Sequence, residues 1–489
     1  MLKIFIPLLF LIFAVSCSVG PDYVRPDLEI PDSTLLMQDY TVEDSLALAL
    51  ADTTWWELFG DTVLTYLIKT AVQENNDIKI AAARVDQFMG LYGVEESDYY
   101  PKFDAGASGR VGEYNVDGVK FRSERWTVDL SAFWEVDIWG KIRRSNEAAL
   151  ANLLAAEEVR RGVILSITSL IASSYFDLLS LDSQLEIAKR TVETRAKQLD
   201  LFQQRWEKGD ISQLEISQLE SEYWFAKSQI PFLEQSIVQL ENAISVLLGR
   251  NPGPIPRGLL IDNLELPEIP ESMPSELLER RPDVLQAENE LISANARIGV
   301  VKSLYYPSLS LTGLLGFSNN DIAKLFDPGS FVWNAGGSLL APLFRAGEIS
   351  SQVESAEAVQ RQAFFNYIKS VQTAFGDAQN ALVERVKTEE KYFSDGKRRD
   401  ALSTYRNLSQ MRYDEGATSY LEVLDAERNL FASELDYAQS RATTLKSVVR
   451  IFSSLAGGWL DNAALESYQP MNPVETEQES EQSSENGNE

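Results

Sequence analysis

The chain has 489 residues, no histidine, one cysteine, and 73 Asp+Glu against 44 Lys+Arg, for a formal charge of −29. Lacking histidine, it cannot run Ser-His-Asp or Cys-His catalysis, build a histidine metal site or use an imidazole pH switch, and a lone cysteine leaves no disulfide or thiolate cluster. The acidic excess speaks against nucleic acid, which needs basic patches, and fits either plain solubility or an acidic lumen that favours cations.

At the amino terminus Lys3 supplies a small positive region, and Ile4 to Val15 form an apolar run too short to span a bilayer. Ala14-Val15-Ser16 are the small residues a signal peptidase accepts, and Cys17 follows at once. Residues 1–16 therefore read as a signal peptide and 17–60 as a lipidated extension, with S-diacylglycerol and N-acyl groups on Cys17 and no other cofactor. Ser18 at the next position, where an aspartate would commonly retain a lipoprotein at the inner membrane, points to the outer membrane. The competing readings are an ordinary signal peptide with a chance cysteine and an uncleaved anchor. No later segment has 18 consecutive apolar residues, so a further membrane crossing requires a closed β-barrel.

An internal duplication organises the remainder. Arg205-Trp206-Glu207-Lys208-Gly209 is echoed by Arg412-Tyr413-Asp414-Glu415-Gly416, and Leu214-Glu215-Ile216 by Leu421-Glu422-Val423, at an offset of 207 residues. Tyr99-Tyr100-Pro101 recurs as Tyr305-Tyr306-Pro307. We assign 61–270 and 271–460 to two copies, each reading as helix, strand hairpin, very long helix, turn and second helix. No proline falls between Pro101 and Pro231 or between Pro342 and Pro470. Arg143 to Lys208 and Glu348 to Glu415 are rich in helix formers, and a helix of that length runs roughly 100 Å. Leu165, Ile171, Tyr175, Leu178 and Leu185 recur at the spacing of a helix packed laterally along its length. Gly209 and Gly416 close the long helices as left-handed caps.

The strand segments have period two. From Trp126 to Ile138 the even positions are apolar, while Thr127, Asp129, Ser131, Glu135 and Asp137 occupy odd ones. The partner strand runs through Phe103, Ala105, Ala107, Gly109 and Val111, with a turn near Val116-Asp117-Gly118. In the second copy Leu309, Leu311, Gly313, Leu315 and Phe317 face one way, and a further strand covers Phe331 to Leu340. A soluble sandwich also alternates in this way. Four strands cannot close a membrane barrel, so strands that span a membrane demand several copies of the chain. Trp126, Trp134 and Trp333 suit membrane-interface anchors; Trp139 breaks the alternation and suits packing below a barrel. The acidic end, 461–489, has no apolar periodicity and reads as a disordered tail.

Several segments carry a family resemblance: CSVGPDYVRP from Cys17, WWELFGD from Trp55, WEVDIWGK from Trp134, RRPDVLQAE from Arg280, YYPSLSLTG from Tyr305 and RYDEGATSYLEVLDAERNLF from Arg412. Together they resemble the TolC-like outer-membrane factors of tripartite efflux systems, most closely the OprM-type efflux lipoproteins. That resemblance implies an α+β fold, a trimer with four strands per protomer in a shared 12-stranded barrel, and long helices forming a periplasmic α-barrel. It implies a passive exit duct in the outer membrane exporting drugs or other small molecules, engaged by a periplasmic adaptor and an inner-membrane pump of the RND class. It also implies a periplasmic aperture lined by Leu421 and Asp425, with Glu422 as a second acidic position, and adaptor-contacting tips at Gly209, Leu214, Gly416 and Leu421. On spacing alone, Leu421 reads equally as a core residue and the two acids as a solvated helix face. The first copy carries Leu214 and Gln218 at the matching positions and lacks the second acid. The alternatives are a periplasmic scaffold lipoprotein without a channel, a type I secretion duct, and a carboxylate-based hydrolase, for which no pocket motif is present.

Overall fold

A computed structural model describes residues 18–27, 33–35, 54–267 and 272–455. The signal segment, Cys17 and the acidic tail lie outside the described residues. Helices α1 (Thr62–Glu74) and α2 (Asn76–Ser97) lead into strands β1 (Lys102–Val116) and β2 (Val119–Val136), then helices α3 (Lys141–Glu207) and α4 (Gln213–Leu247). The second copy supplies α5 (Pro282–Ser303), β3 (Ser308–Asn319), β4 (Phe331–Leu340), α6 (Glu348–Asp414) and α7 (Tyr420–Ser454). The duplication survives to the residue. Helices α3 and α6 each have 67 residues, and α4 and α7 each have 35.

The described residues divide into two compact units that each draw on both copies: 18–27 with 82–158 and 285–370, and 33–35 and 54–81 with 159–267, 272–284 and 371–455. The first unit holds one antiparallel sheet in the order β1-β2-β3-β4. Its first hairpin turns on Asp117 and Gly118, at φ 53° and 85°. Two consecutive positive φ values are those of a type I′ turn, whose twist matches the strands it joins.

The second unit is built on its helices. Its core gathers Trp55, Trp56 and Phe59 with Leu64, Leu67 and Ile68 of α1, Ile171, Tyr175 and Phe176 of α3, and Leu445, Val448 and Phe452 of α7. Trp55 stacks on Phe452 at 5.8 Å between centroids, which explains why the WWELFGD segment carries two tryptophans. Its Asp61 is a buried hub: it caps α1 by accepting from Val63 N at 2.7 Å and Leu64 N at 3.2 Å. The same carboxylate accepts from Tyr175 Oη at 2.9 Å and Leu259 N at 3.1 Å. Arg281 is a second hub, donating to Asp283 at 2.8 Å and 3.0 Å, to Asp377 at 3.2 Å and to the Ser454 carbonyl that ends α7 at 2.9 Å. One stretch of α3 is long and apolar enough to cross a membrane by composition, but 61% of it is buried, as befits a core helix.

Candidate functional site

In the first unit the register gathers one apolar row set on one face, while Phe133, Leu314 and Val332 fall on the other. Phe103, Ala105, Ala107 and Gly109 lie beside Ala132, Leu130, Val128 and Trp126; these neighbour Gly313, Leu315, Phe317 and Asn319; and Ala335, Trp333 and Phe331 complete the rows. The opposite face carries Asp104, Ser108, Thr127, Asp129, Ser131, Ser310, Thr312, Asn334 and Ser338. Ser108 and Thr127 hydroxyls meet across it at 2.6 Å. The apolar face is uncovered, with Leu315 51% and Trp333 71% exposed. A soluble sandwich would bury that face against a second sheet. Trp139 is a packing residue: its ring stacks on Tyr306 at 4.7 Å and its Nε1 donates to the Pro307 carbonyl at 2.8 Å.

The residues just after Cys17 are strapped to this unit. Val19 N donates to Trp139 O at 3.0 Å, and Asn295 Nδ2 to Pro21 O at 3.0 Å. Asp22 pairs with Arg144 at 2.5 Å, and Tyr23 Oη donates to Glu288 at 3.0 Å. Gly20 lies against Gly299 so closely that a Cβ on Gly20 would sit 2.5 Å from the Gly299 Cα. Burial, reinforced by the Glu288 charge, pushes the Tyr23 phenol well above its ordinary pKa, so it stays a donor.

The predicted aperture residues belong to the second unit, where two helix hairpins end in tip turns. Gly209 and Gly416 take φ of 82° and 73°, in the left-handed region that glycine enters without a Cβ penalty. Each turn is a Schellman motif: Asp210 N donates to Arg205 O at 2.9 Å and Gly209 N to Trp206 O at 2.8 Å, matched by Ala417 to Arg412 at 2.8 Å and Gly416 to Tyr413 at 2.9 Å. Behind the turns Phe202, Tyr413 and Tyr420 form an aromatic cluster with Phe202–Tyr420 centroids 4.2 Å apart.

The two tips differ in how the second helix begins. Ser212 and Glu215 form a reciprocal capping box at α4. At α7 the Ser419 side chain makes no cap bond, because Glu422 is drawn to Arg412 Nη1 at 3.0 Å and to the Thr418 hydroxyl. The repeat partner of Thr418 is Ile211, which packs in the apolar tip cluster and leaves Glu215 free for its cap.

Leu421 is 58% exposed while Tyr420, Val423 and Leu424 are buried, so it is not a core residue. Leu421, Leu424, Asp425 and Arg428 line one groove of about 350 Å³ with Ser217, Gln218 and Ser221 of α4. The four-residue spacing thus brings Leu421 and Asp425 together, and with them Gln218, the counterpart of Asp425 in the first copy. Glu422 points away from this groove into the turn. Leu214 is exposed on the opposite tip. Asp425 accepts from Arg428 Nη2 at 2.8 Å and from Asn429 Nδ2 at 3.1 Å, both on its own helix. The charge partner of Asp425 within this chain is thus three residues away on the same helix. Arg428 was legible only as a basic residue at i+3.

Membership follows from comparison with known proteins. A family model described as outer membrane efflux protein matches residues 67–250 and 273–457. The chain belongs to the outer membrane efflux protein family. It is 30% identical over 460 residues to the solvent efflux pump outer membrane protein SrpC of Pseudomonas putida, covering 93% of this chain and 98% of that protein. It is also 30% identical over 457 residues to SilC of Salmonella typhimurium, a probable outer membrane lipoprotein, covering 92% and 97%. A solved structure of CusC, from work on its folding and transmembrane channel formation, superposes with a TM-score of 0.82 at 29% identity, covering 90% of this chain and all of that one. The α+β fold with its four-stranded sheet is that of these channels. The family member described here is an outer-membrane exit duct for efflux, and its role is transport.

Proposed function

We propose that three copies of this chain close one 12-stranded barrel through the outer membrane and join their long helices into a tunnel, passive in itself and driven by a pump elsewhere. The observation that carries this reading is the four-stranded sheet with one uncovered apolar face, one largely polar face and two edges, β1 and β4, left unpaired among the described residues. Unpaired edges cannot be left in hydrocarbon, where each bare N–H and C=O costs several kcal/mol. Four strands close nothing, and three copies supply a number within the range of closed barrels. A periplasmic scaffold without a channel would have no use for an apolar sheet face of this extent.

The partners we assign are a periplasmic adaptor at the tips around Gly209, Leu214, Gly416 and Leu421, and an inner-membrane pump of the RND class. Leu421 and Asp425, on one groove and one turn apart, would meet their symmetry copies as an apolar ring and a carboxylate ring, each Asp425 carrying Arg428 as its counter-charge. Relatives of this architecture serve different cargo: SrpC is named for solvents and the CusC system for cations. Cys17 would carry the S-diacylglycerol and N-acyl groups. Its neighbours at 18–27 are strapped beside the lower end of β2, which would hold the lipid near the barrel's periplasmic rim. Purified protein reconstituted in planar bilayers tests the central reading: ion-conducting, heat-resistant trimers are expected, and a conducting monomer would sink it.

A further inference from the structure

One layer of the second unit is at odds with the apolar packing around it. The four long helices bury an aromatic cluster at the tip (Phe202, Tyr413, Tyr420) and, further along, an apolar layer of Ala188, Ala226, Leu233 and Phe431. Between these layers stand Arg195 and Gln198 of α3, Glu222 of α4, Arg406 of α6 and Glu427 of α7. Arg195 is 2% exposed, with its guanidinium 5.5 Å from the centroid of Phe431. Its Nη1 donates to the Glu222 carbonyl, and its Nη2 lies 3.4 Å from Glu222 Oε2 without hydrogen-bond geometry. Gln198 Nε2 reaches Glu427 Oε1 at 2.8 Å, and Arg406 approaches the same oxygen at 3.5 Å.

Five buried polar atoms in and beside this layer have no hydrogen-bond partner among the described residues: Arg195 Nη2, Gln198 Oε1, Glu222 Oε2, Glu427 Oε2 and Tyr420 Oη. Each such atom is expensive, and together their cost rivals the net stability of a folded domain. A cleft of about 240 Å³ borders the layer, lined by Thr194, Arg195, Arg406, Asn407, Glu427 and Phe431. It is polar and roomy enough for several waters, each taking ~30 Å³ of liquid volume and making about three bonds. The duplication does not require polarity here, since the repeat partners of Arg195 and Arg406 are Leu402 and Leu199.

We propose that this layer is a hydrated joint: an internal water cluster bridges Arg195, Gln198, Glu222, Glu427 and Tyr420, and the α6–α7 tip shifts against the α3–α4 tip on it. Apolar layers interlock in discrete arrangements, so sliding them opens voids. Charges bridged by water re-pair continuously as helices move, because each lost contact is taken over by solvent. The mechanical consequence rests on the duct reading; the hydration does not.

Tyr420→Phe in the full-length assembly gives a test by sign. If Tyr420 Oη is bonded to water, the change removes a hydrogen bond, and amide-exchange protection of 420–431 falls by ~5-fold. If the hydroxyl is dry, its removal relieves a penalty; equal or higher protection overturns the proposal. The triple variant Arg195→Met, Glu222→Met, Glu427→Met should raise protection of the same segment more than tenfold and lower open-channel occupancy; unchanged occupancy overturns the joint. A structure at water-resolving resolution should show density touching the five atoms, and direct side-chain contacts in its place overturn it. Bilayer recordings on the same wild-type preparation separate the two readings: a conducting channel with a dry layer sinks only the joint, and a hydrated layer in a protein that never conducts sinks only the duct.

Discussion

Leu130 and Ser131 are adjacent in β2 and lie on opposite faces of the sheet, so the same substitution at each tests which face meets lipid. Leu130 pairs with Ala105 and Leu315 in the apolar rows, whereas Ser131 pairs with Asp104 and Leu314. Arginine on a lipid face costs about 2–4 kcal/mol at mid-membrane, and much less on a lumen face. Leu130→Arg should therefore weaken insertion by about 30- to 900-fold per protomer, at 1.36 kcal/mol per decade. Three copies in one barrel compound this to about 6–12 kcal/mol, comparable to the whole stability of a domain. Ser131→Arg should assemble normally and shift ion selectivity toward anions, since three added charges then line the lumen. The assay is the yield of heat-resistant trimer from outer membranes, followed by reversal-potential measurements on whatever assembles. Equal tolerance of both variants would refute the two-face argument, and loss of assembly only for Ser131→Arg would invert it.

Mass spectrometry of the mature amino terminus should find a diacylglycerol and an acyl chain on Cys17, and Cys17→Ala should reduce assembly more than it abolishes transport; an unmodified terminus removes the lipid assignment. Asp425→Ala should raise resting conductance or weaken block by multivalent cations, and Leu421→Ala should widen the apolar part, neither costing much trimer stability because both side chains border an open groove. Single-channel traces of the double variant indistinguishable from wild type would return both residues to the solvated-face reading. Asp61→Ala should destabilise the second unit by about 3 kcal/mol, combining a lost helix cap with buried Tyr175 O–H and Leu259 N–H donors left without their acceptor. Tyr175→Phe should cost about 1 kcal/mol, and denaturant midpoints showing the reverse order would remove Asp61 as the hub.

Much of this protein was legible before any coordinates. The 207-residue offset foretold two helix hairpins of matched length, because helix length follows from where glycine and proline interrupt a run of helix formers. Alternation over Trp126 to Ile138 foretold a two-faced strand, because side chains of a strand alternate whatever they pack against. Gly209 and Gly416 announced their turns, since the left-handed residue of a Schellman cap is a local backbone requirement. Local rules could not reveal what depends on residues far apart in sequence. The chain alone left open whether Leu421 sat in a core; its 58% exposure beside buried Val423 and Leu424 was decided by which face of α7 packs into the tip cluster with Phe202 and Leu219. The capping box intact at Ser212 and dismantled at Ser419 depends on Arg412 reaching across the turn to Glu422, a competition for one carboxylate that the shared Ser-x-x-Glu pattern conceals. The charged layer around Arg195 and Glu427 was invisible for the same reason. On paper each is a polar residue on a long helix, and only the convergence of four helices removes them from water.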